Sequence, residues 1–431
     1  MRRSSLNLRA EKYFKPKMLL FALLCCAAVV LLISLIISRC PAVVTTIDAN
    51  SPIRIRVLLY NKVKQCSVHP GSAYTVVAAD SQAILPRHKK PAKSISIEII
   101  DGMICLLGHA FKQKQIAIEP DTPSICTINS ERYRGSITFV INDDCNSFDI
   151  VNHLTLEEYL AGVVGAEMPS YWEPQALRAQ TIAARTYCLY IKNNFGSKRH
   201  YDMKKTQANQ VYRGIEAETT TVINAVNDTA GIILTCSAPD QSPLLFPAYY
   251  SSTCGGHTEN SKNVFGDSFP PLVGVPCPYC RKVAKPKFFY WPAVKLEKNY
   301  VSERIIQKYP KLKNLGKIKS ITSASKSEYG NLTRVTSVKL VGENGMTGFL
   351  RAEDFRLTLD SSGNKIRSTV WTIVDTQDTW TFISGIGYGH GVGLCQTGAQ
   401  AMARSGKNAF QILQYYYPSS TITNIYRITL I

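Results

Sequence analysis

Apolar and polar side chains alternate through residues 50–144, in runs such as IRIRVLLY, SISIEII and SITFVI, whereas residues 154–194 carry their apolar side chains at helical spacing. A period of two belongs to strands and a period near 3.6 to helices. This switch near residue 150 therefore sets the class: α+β, with strand-rich flanks around a central helical region. Turns containing Pro and Gly separate the early strands, and residues 80–92 (DSQAILPRHKKPA) form a basic loop between them. Residues 219–238 begin as a helix and pass into the strand GIILTC. Residues 283–380 open basic and then alternate again, in SITSAS and RVTSVKLVG. No repeat of 20–50 residues and no low-complexity tract interrupts the chain.

The N-terminal region is of a different kind. Arg2, Arg3, Arg9, Lys12, Lys15 and Lys17 stand against Glu11 alone, and residues 18–38 then give 21 positions without a charge, only Ser34 and Ser38 being polar. That length spans a bilayer. Positive charge before the span places the N-terminus in the cytoplasm and the remainder outside, so a single-pass signal anchor in the cell membrane is expected. A cleaved signal peptide is the rival, but the apolar stretch is longer than usual and no A-x-A site follows. The sequence Ile37-Ser38-Arg39-Cys40 is a poor lipoprotein box, because Arg39 stands where a small residue belongs. The net charge of +19 would suggest nucleic acid. Neither a basic recognition helix nor an RNP-like aromatic strand is present, and the basic residues lie mostly beyond the anchor. Anionic cell-wall polymers or anionic lipid suit such a surface equally well.

Residues 161–187, AGVVGAEMPSYWEPQALRAQTIAARTY, place one carboxylate, Glu167, beside small and apolar residues. Pro169 and Pro174 read as helix start signals, since a Pro in the first turn forfeits no hydrogen bond. Glu167 is accordingly expected at the mouth of a helix in which Ala176, Leu177, Gln180, Ala183, Ala184 and Tyr187 share one face. Arg185 lies within that run. Partial desolvation would raise the pKa of Glu167 toward that of a working general acid. The plainer alternative is a first-turn Glu held by the helix dipole. Near the C-terminus, residues 385–393 pack five glycines and His390 into nine positions, followed by Gln396 at a helix start. Such glycine density signals positive φ or close backbone approach, and His390 with Gln396 offers a polar floor for sugar hydroxyls. A phosphate cradle is disfavoured, because no Walker Lys-Ser/Thr and no ribose-binding acid follow.

Thirteen cysteines complete the inventory. Cys254 and His257 form a C-x-x-H pair, and Cys277 and Cys280 form a C-x-x-C pair 20 residues beyond His257. Two short-spaced pairs can deliver four ligands to one zinc, which would be structural because four protein ligands close the site. A disulfide among Cys254, Cys277 and Cys280 competes in an oxidising exterior. Cys105, Cys188 and Cys236 sit in apolar runs as small hydrophobes. Cys395 lacks metal spacing, and five residues across a Gly loop from His390 is no specific geometry for a nucleophile.

GVVGAEMP, ALRAQTIAARTY, STCGGHTENS and GYGHGVGLCQTGAQAMA occur in that order, and together they resemble the SpoIID/LytB family of cell-wall proteins. The resemblance runs from about Pro52 to the C-terminus, taking in the Tyr133-Arg134-Gly135 turn, the LTLEEYL lead-in and AFQILQYYYPSSTIT. Leu394, Cys395 and Thr397 replace the Met, Ser and Tyr common in relatives. The resemblance implies a peptidoglycan lytic transglycosylase. The layout is then a basic tail (1–17), an anchor (18–38), a linker (39–51), a β-rich region (52–150) and a catalytic region (151–431) with a β-rich insertion at about 283–380. An ordinary glycosidase needs two carboxylates. The acids nearest Glu167 are Glu157, Glu158 and Glu173, none an evident second catalytic group. A single acid suffices if the C6 hydroxyl of N-acetylmuramic acid attacks its own C1. Arg185 and His390 would hold acetamido or hydroxyl oxygens, and Tyr187 would pack on a sugar face. The LytB side of the family implies the alternative of a non-enzymatic wall-binding enhancer of an amidase. No feature reports a sporulation programme.

Overall fold

The computed structural model describes residues 52–78, 84–85, 87–237 and 242–425. The expected anchor at 18–38, with its tail and linker, lies outside the described residues. Among the described residues no helix is long and apolar enough to cross a membrane.

The alternating N-terminal sequence forms eleven strands, β1 (Arg54–Val63), β2 (Gln65–His69), β3 (Tyr74–Ala78), β4 (Ile95–Ile100), β5 (Met103–Leu106), β6 (His109–Phe111), β7 (Gln115–Pro120), β8 (Ile125–Ile128), β9 (Glu131–Arg134), β10 (Ser136–Ile141) and β11 (Phe148–Thr155). They divide between two six-stranded sheets, and β12 (Met203–Lys204) completes the first. The strand orders are β12-β1-β11-β10-β7-β3 and β6-β5-β4-β2-β8-β9. The chain passes back and forth between the sheets, so inward residues of both, such as Val57, Val68, Ile97, Ile116 and Phe139, share one core. Gly135 turns the chain from β9 into β10 at φ +78°, and a Cβ there would stand 2.1 Å from the His153 carbonyl oxygen. Only glycine fits that crossing.

The change of period falls at Thr155. Its hydroxyl accepts from the Glu158 backbone N–H while Glu158 reaches back to the Thr155 N–H, a capping box that starts helix α1 (Leu156–Glu167). The expectation that Glu167 opens a helix is corrected here: it is the last residue of α1, and Met168 is extended at φ −129°, ψ 143°. Pro169 explains this, since the residue before a proline is forced out of the helical region. Pro174 alone is a start signal, at the first turn of α2 (Pro174–Phe195).

Beyond α2 come α3 (Thr220–Asn227) and the strand Ile232–Ser237, the helix-then-strand order expected from sequence. That strand pairs antiparallel with the closing strand Thr421–Asn424. Residues 290–382 contribute a separate core around Trp380, Phe355 and Val338. It holds helices α4 (Lys298–Lys308) and α5 (Ala352–Leu359) and the antiparallel strands Ile318–Tyr329, Leu332–Gly342 and Thr347–Arg351. Helices α6 (Gln396–Arg404) and α7 (Ala409–Tyr416) return to α2, sharing with it a core that includes Leu177, Ala183 and Leu413. The whole is mixed α+β and strand-rich.

Candidate active site

The end of α1 delivers Glu167 into an open cleft of about 1100 Å³. Its lining includes Glu167, Tyr187, Arg213, Tyr250, His390 and Gln396, together with Arg351, Glu353, Arg356 and Asn364 from the inserted region. Burial pushes the Glu167 carboxyl up to about 7, against the Val211 N–H (2.8 Å to Oε1), the Gln396 side chain and the Arg213 charge, which all favour the anion. The negative end of the α1 dipole also disfavours the charged form. A carboxyl so placed exchanges its proton near neutrality, which is what general acid–base work requires.

The glycine loop behaves as its composition implies, but the close neighbour is protein backbone. Tyr388 and Thr253 exchange backbone hydrogen bonds at 2.8 and 3.0 Å. Gly387 sits at φ +86°, where a Cβ would stand 2.8 Å from the Thr253 carbonyl oxygen, and at Gly391, φ +80°, a Cβ would stand 2.9 Å from the Arg334 guanidinium. The loop thereby holds His390 against the cleft. Its Nδ1 accepts the Val392 N–H at 3.0 Å, which leaves Nε2 as the donor. Burial lowers its pKa to about 4, outweighing the pull of Glu353, so the ring is neutral at ordinary pH.

Of the residues singled out from sequence, Glu167, Tyr187, His390 and Gln396 meet at this cleft. Arg185 does not. It is fully buried, its guanidinium bonded to Glu157 at 3.0 and 2.6 Å and to the Ile232 carbonyl at 3.0 Å. It ties α1, α2 and the following strand together and touches no cleft surface, so its assignment to sugar binding is corrected. The neighbouring acids lie elsewhere: Glu157 is held by Arg185, Glu158 closes the α1 cap, and Glu173 is exposed at the N-terminus of α2, outside the cleft lining.

Sequence reasoning missed Glu353. It reaches the cleft from α5 and is nearly buried; burial works against its charge, but the Arg356 guanidinium, 3.0 Å from Oε2, holds it below the usual carboxylate range. The cleft therefore has one carboxyl poised to hold a proton and one fixed as an anion. Arg213, exposed beside Glu167, was missed as well. Neither lies in a segment whose local spacing carries a signal.

The proposed ligand set is corrected at one position. The Sγ atoms of Cys254, Cys277, Cys280 and Cys395 lie within 4.8 Å of one another, all buried, and could hold a metal ion. His257 stands outside this group. Its Nδ1 is 2.6 Å from the Thr258 carbonyl oxygen, and its ring stacks on Tyr329 of the insertion at 3.7 Å and 2°. All four cysteines are free thiols.

Comparison with known proteins bears on the family of the chain. The family described as Stage II sporulation protein matches residues 144–236, and a domain of unknown function, DUF8618, matches residues 281–393. The chain is 35% identical over 302 residues to an uncharacterized protein of Brachyspira hyodysenteriae, covering 70% of this chain and 75% of that one. It is 31% identical over 290 residues to stage II sporulation protein D of Bacillus subtilis, covering 63% and 76%. It is 27% identical over 369 residues to the amidase enhancer of Bacillus subtilis, covering 76% of this chain and 50% of the enhancer.

Proposed function

Because the chain belongs to the SpoIID/LytB family, we propose that it is a membrane-anchored lytic transglycosylase of peptidoglycan glycan strands. Glu167 carries this reading: it is a carboxyl with a pKa of about 7 in an open cleft, while Glu157 is held in an ion pair and Glu158 in a helix cap. Protonated Glu167 gives its proton to the oxygen leaving C1 of N-acetylmuramic acid. The carboxylate then takes the proton of the C6 hydroxyl as that oxygen bonds to C1, leaving a 1,6-anhydro end and a GlcNAc hydroxyl. One carboxyl serves twice, and no water is consumed. Gln396 would donate a hydrogen bond to a sugar oxygen and the Tyr187 ring would pack on a sugar face, while neutral His390, whose remaining N–H is taken by the Tyr250 backbone, would shape the floor beneath them. The Glu353–Arg356 pair and Arg213 line the same cleft and would set the field around the charge that develops at C1 and on the leaving oxygen. The chemistry needs no metal. A zinc held by the four thiols would be structural, since four protein ligands leave no open position.

The first step requires the protonated carboxyl. The initial rate on purified sacculi is therefore expected to be flat below pH 7 and to fall about tenfold per unit above it. A rate that stays level to pH 9 would remove Glu167 from the acid role.

The relative named amidase enhancer supports a second reading, in which the cleft binds glycan and another hydrolase cuts. Only the enzymatic reading requires Glu167 to titrate.

Anchoring by residues 18–38 remains part of the proposal. An alkaline phosphatase fusion after Ser51 is expected to be active, and a cytosolic reporter at the same place inactive, because the positive charge precedes the span. The opposite pair of results would reverse the orientation.

A further inference from the structure

The four thiols come from three separate pieces of chain. Cys254 follows the short strand Tyr250–Ser251, Cys277 and Cys280 flank one turn, and Cys395 immediately precedes α6. Parallel pairing of Ser251 with Cys395 brings the first and last pieces side by side. The Cys277 N–H donates to the Gly256 carbonyl at 2.7 Å, which docks the third. A tetrahedral zinc with Zn–S bonds near 2.3 Å sets its sulfurs roughly 3.8 Å apart. Cys254 Sγ and Cys280 Sγ are separated by 3.9 Å, and no pair exceeds 4.8 Å.

Donors also point at the sulfurs. The Cys254 N–H lies 3.3 Å from Cys395 Sγ, and the Tyr416 hydroxyl lies 3.1 Å from Cys277 Sγ. Hydrogen bonds of this kind orient and stabilise metal-bound thiolates. Gly398 makes room for them: a Cβ there would stand 2.8 Å from Cys277 Sγ and 1.9 Å from the Tyr416 oxygen. A disulfide brings two sulfurs to about 2 Å and does not account for four converging sulfurs.

We propose that Cys254, Cys277, Cys280 and Cys395 bind one zinc ion as four thiolates, fastening the start of α6 to the two turns facing it. Four soft sulfur ligands select zinc over magnesium or calcium, and the ion is structural because the site is closed. The residue after Cys395 is Gln396, whose side chain bonds Glu167. The zinc thus fixes one wall of the cleft by position and takes no part in bond cleavage.

Protein purified without chelator should contain about one zinc per chain by elemental mass spectrometry. Exchange for cobalt should give a thiolate-to-metal charge-transfer band with the intensity of four thiolates. His257→Ala should leave both unchanged, whereas Cys277→Ser and Cys395→Ser should lose the metal. Should the cysteine variants fail to fold, alkylation of the parent protein decides: Cys395 should be protected until a chelator is added. Metal-free soluble protein, a disulfide-linked peptide joining any two of the four, or loss of zinc in His257→Ala would each overturn the assignment. Metal content and thiol protection are read without peptidoglycan, so these results stand apart from the fate of the lytic reading.

Discussion

Glu167→Gln should lower peptidoglycan cleavage at least ~10²-fold while glycan binding persists. Gln keeps the shape of the side chain and can still accept the Val211 N–H, so the cleft wall should be unchanged. What disappears is a proton that can be given and taken back. Loss of fold is not the explanation to fear. The folded-state pKa is raised to about 7 from an ordinary 4.5, so the stability Glu167 contributes is full below pH 4.5 and is lost as pH rises through 7. That difference amounts to roughly 3 kcal/mol. The Gln variant, which cannot ionise, should match the parent in denaturant melts at pH 4 and exceed it at pH 8. A variant that releases products at the parent rate would make Glu167 a structural helix-end residue.

Arg185→Leu should destabilise the protein by about 3 kcal/mol or more. The guanidinium is fully buried and bonds the Glu157 carboxylate and the carbonyls of Ile232 and Val226. Leucine fills part of the volume but takes the guanidinium donor from the Ile232 carbonyl and leaves one carboxylate without its cation, while Val226 keeps the Thr229 N–H. Glu157 is 30% exposed, so water recovers part of that loss, and the effect falls at the lower end of the range for broken buried pairs. A shift of the denaturant midpoint to lower concentration checks this. An unshifted midpoint with weakened glycan binding would instead restore Arg185 to the sugar site.

These two residues mark where the sequence was informative and where it was not. Periodicity located the strands of the N-terminal sheets and the helices around Glu167, because burial on one face of an element writes itself into local spacing. Glu167, Tyr187, His390 and Gln396 were found together although more than 200 residues separate the first from the last, since each stands in a segment with an unusual composition. Arg185 misled because a cation on the inner face of a small-residue helix has the same spacing whether it meets a ligand or a carboxylate. Its partner, Glu157, is set by the packing of α1 on α2, which no local pattern records. The fourth thiol was missed for the same reason. Spacing rules find pairs within one loop, and Cys395 arrives through strand pairing with Ser251. Glu167 was placed at the wrong end of a helix because two prolines five residues apart both look like start signals, and only the second is one.

The most direct test of the central claim is mass spectrometry of purified sacculi digested by the full chain in detergent, with no amidase added. Muropeptides ending in 1,6-anhydro-N-acetylmuramic acid should accumulate, and they should be absent from the Glu167→Gln digest. Reducing ends formed by uptake of water would show an ordinary glycosidase with a second carboxylate at work. Glycan left intact until an amidase is added would show a wall-binding enhancer, and either outcome would contradict the lytic mechanism.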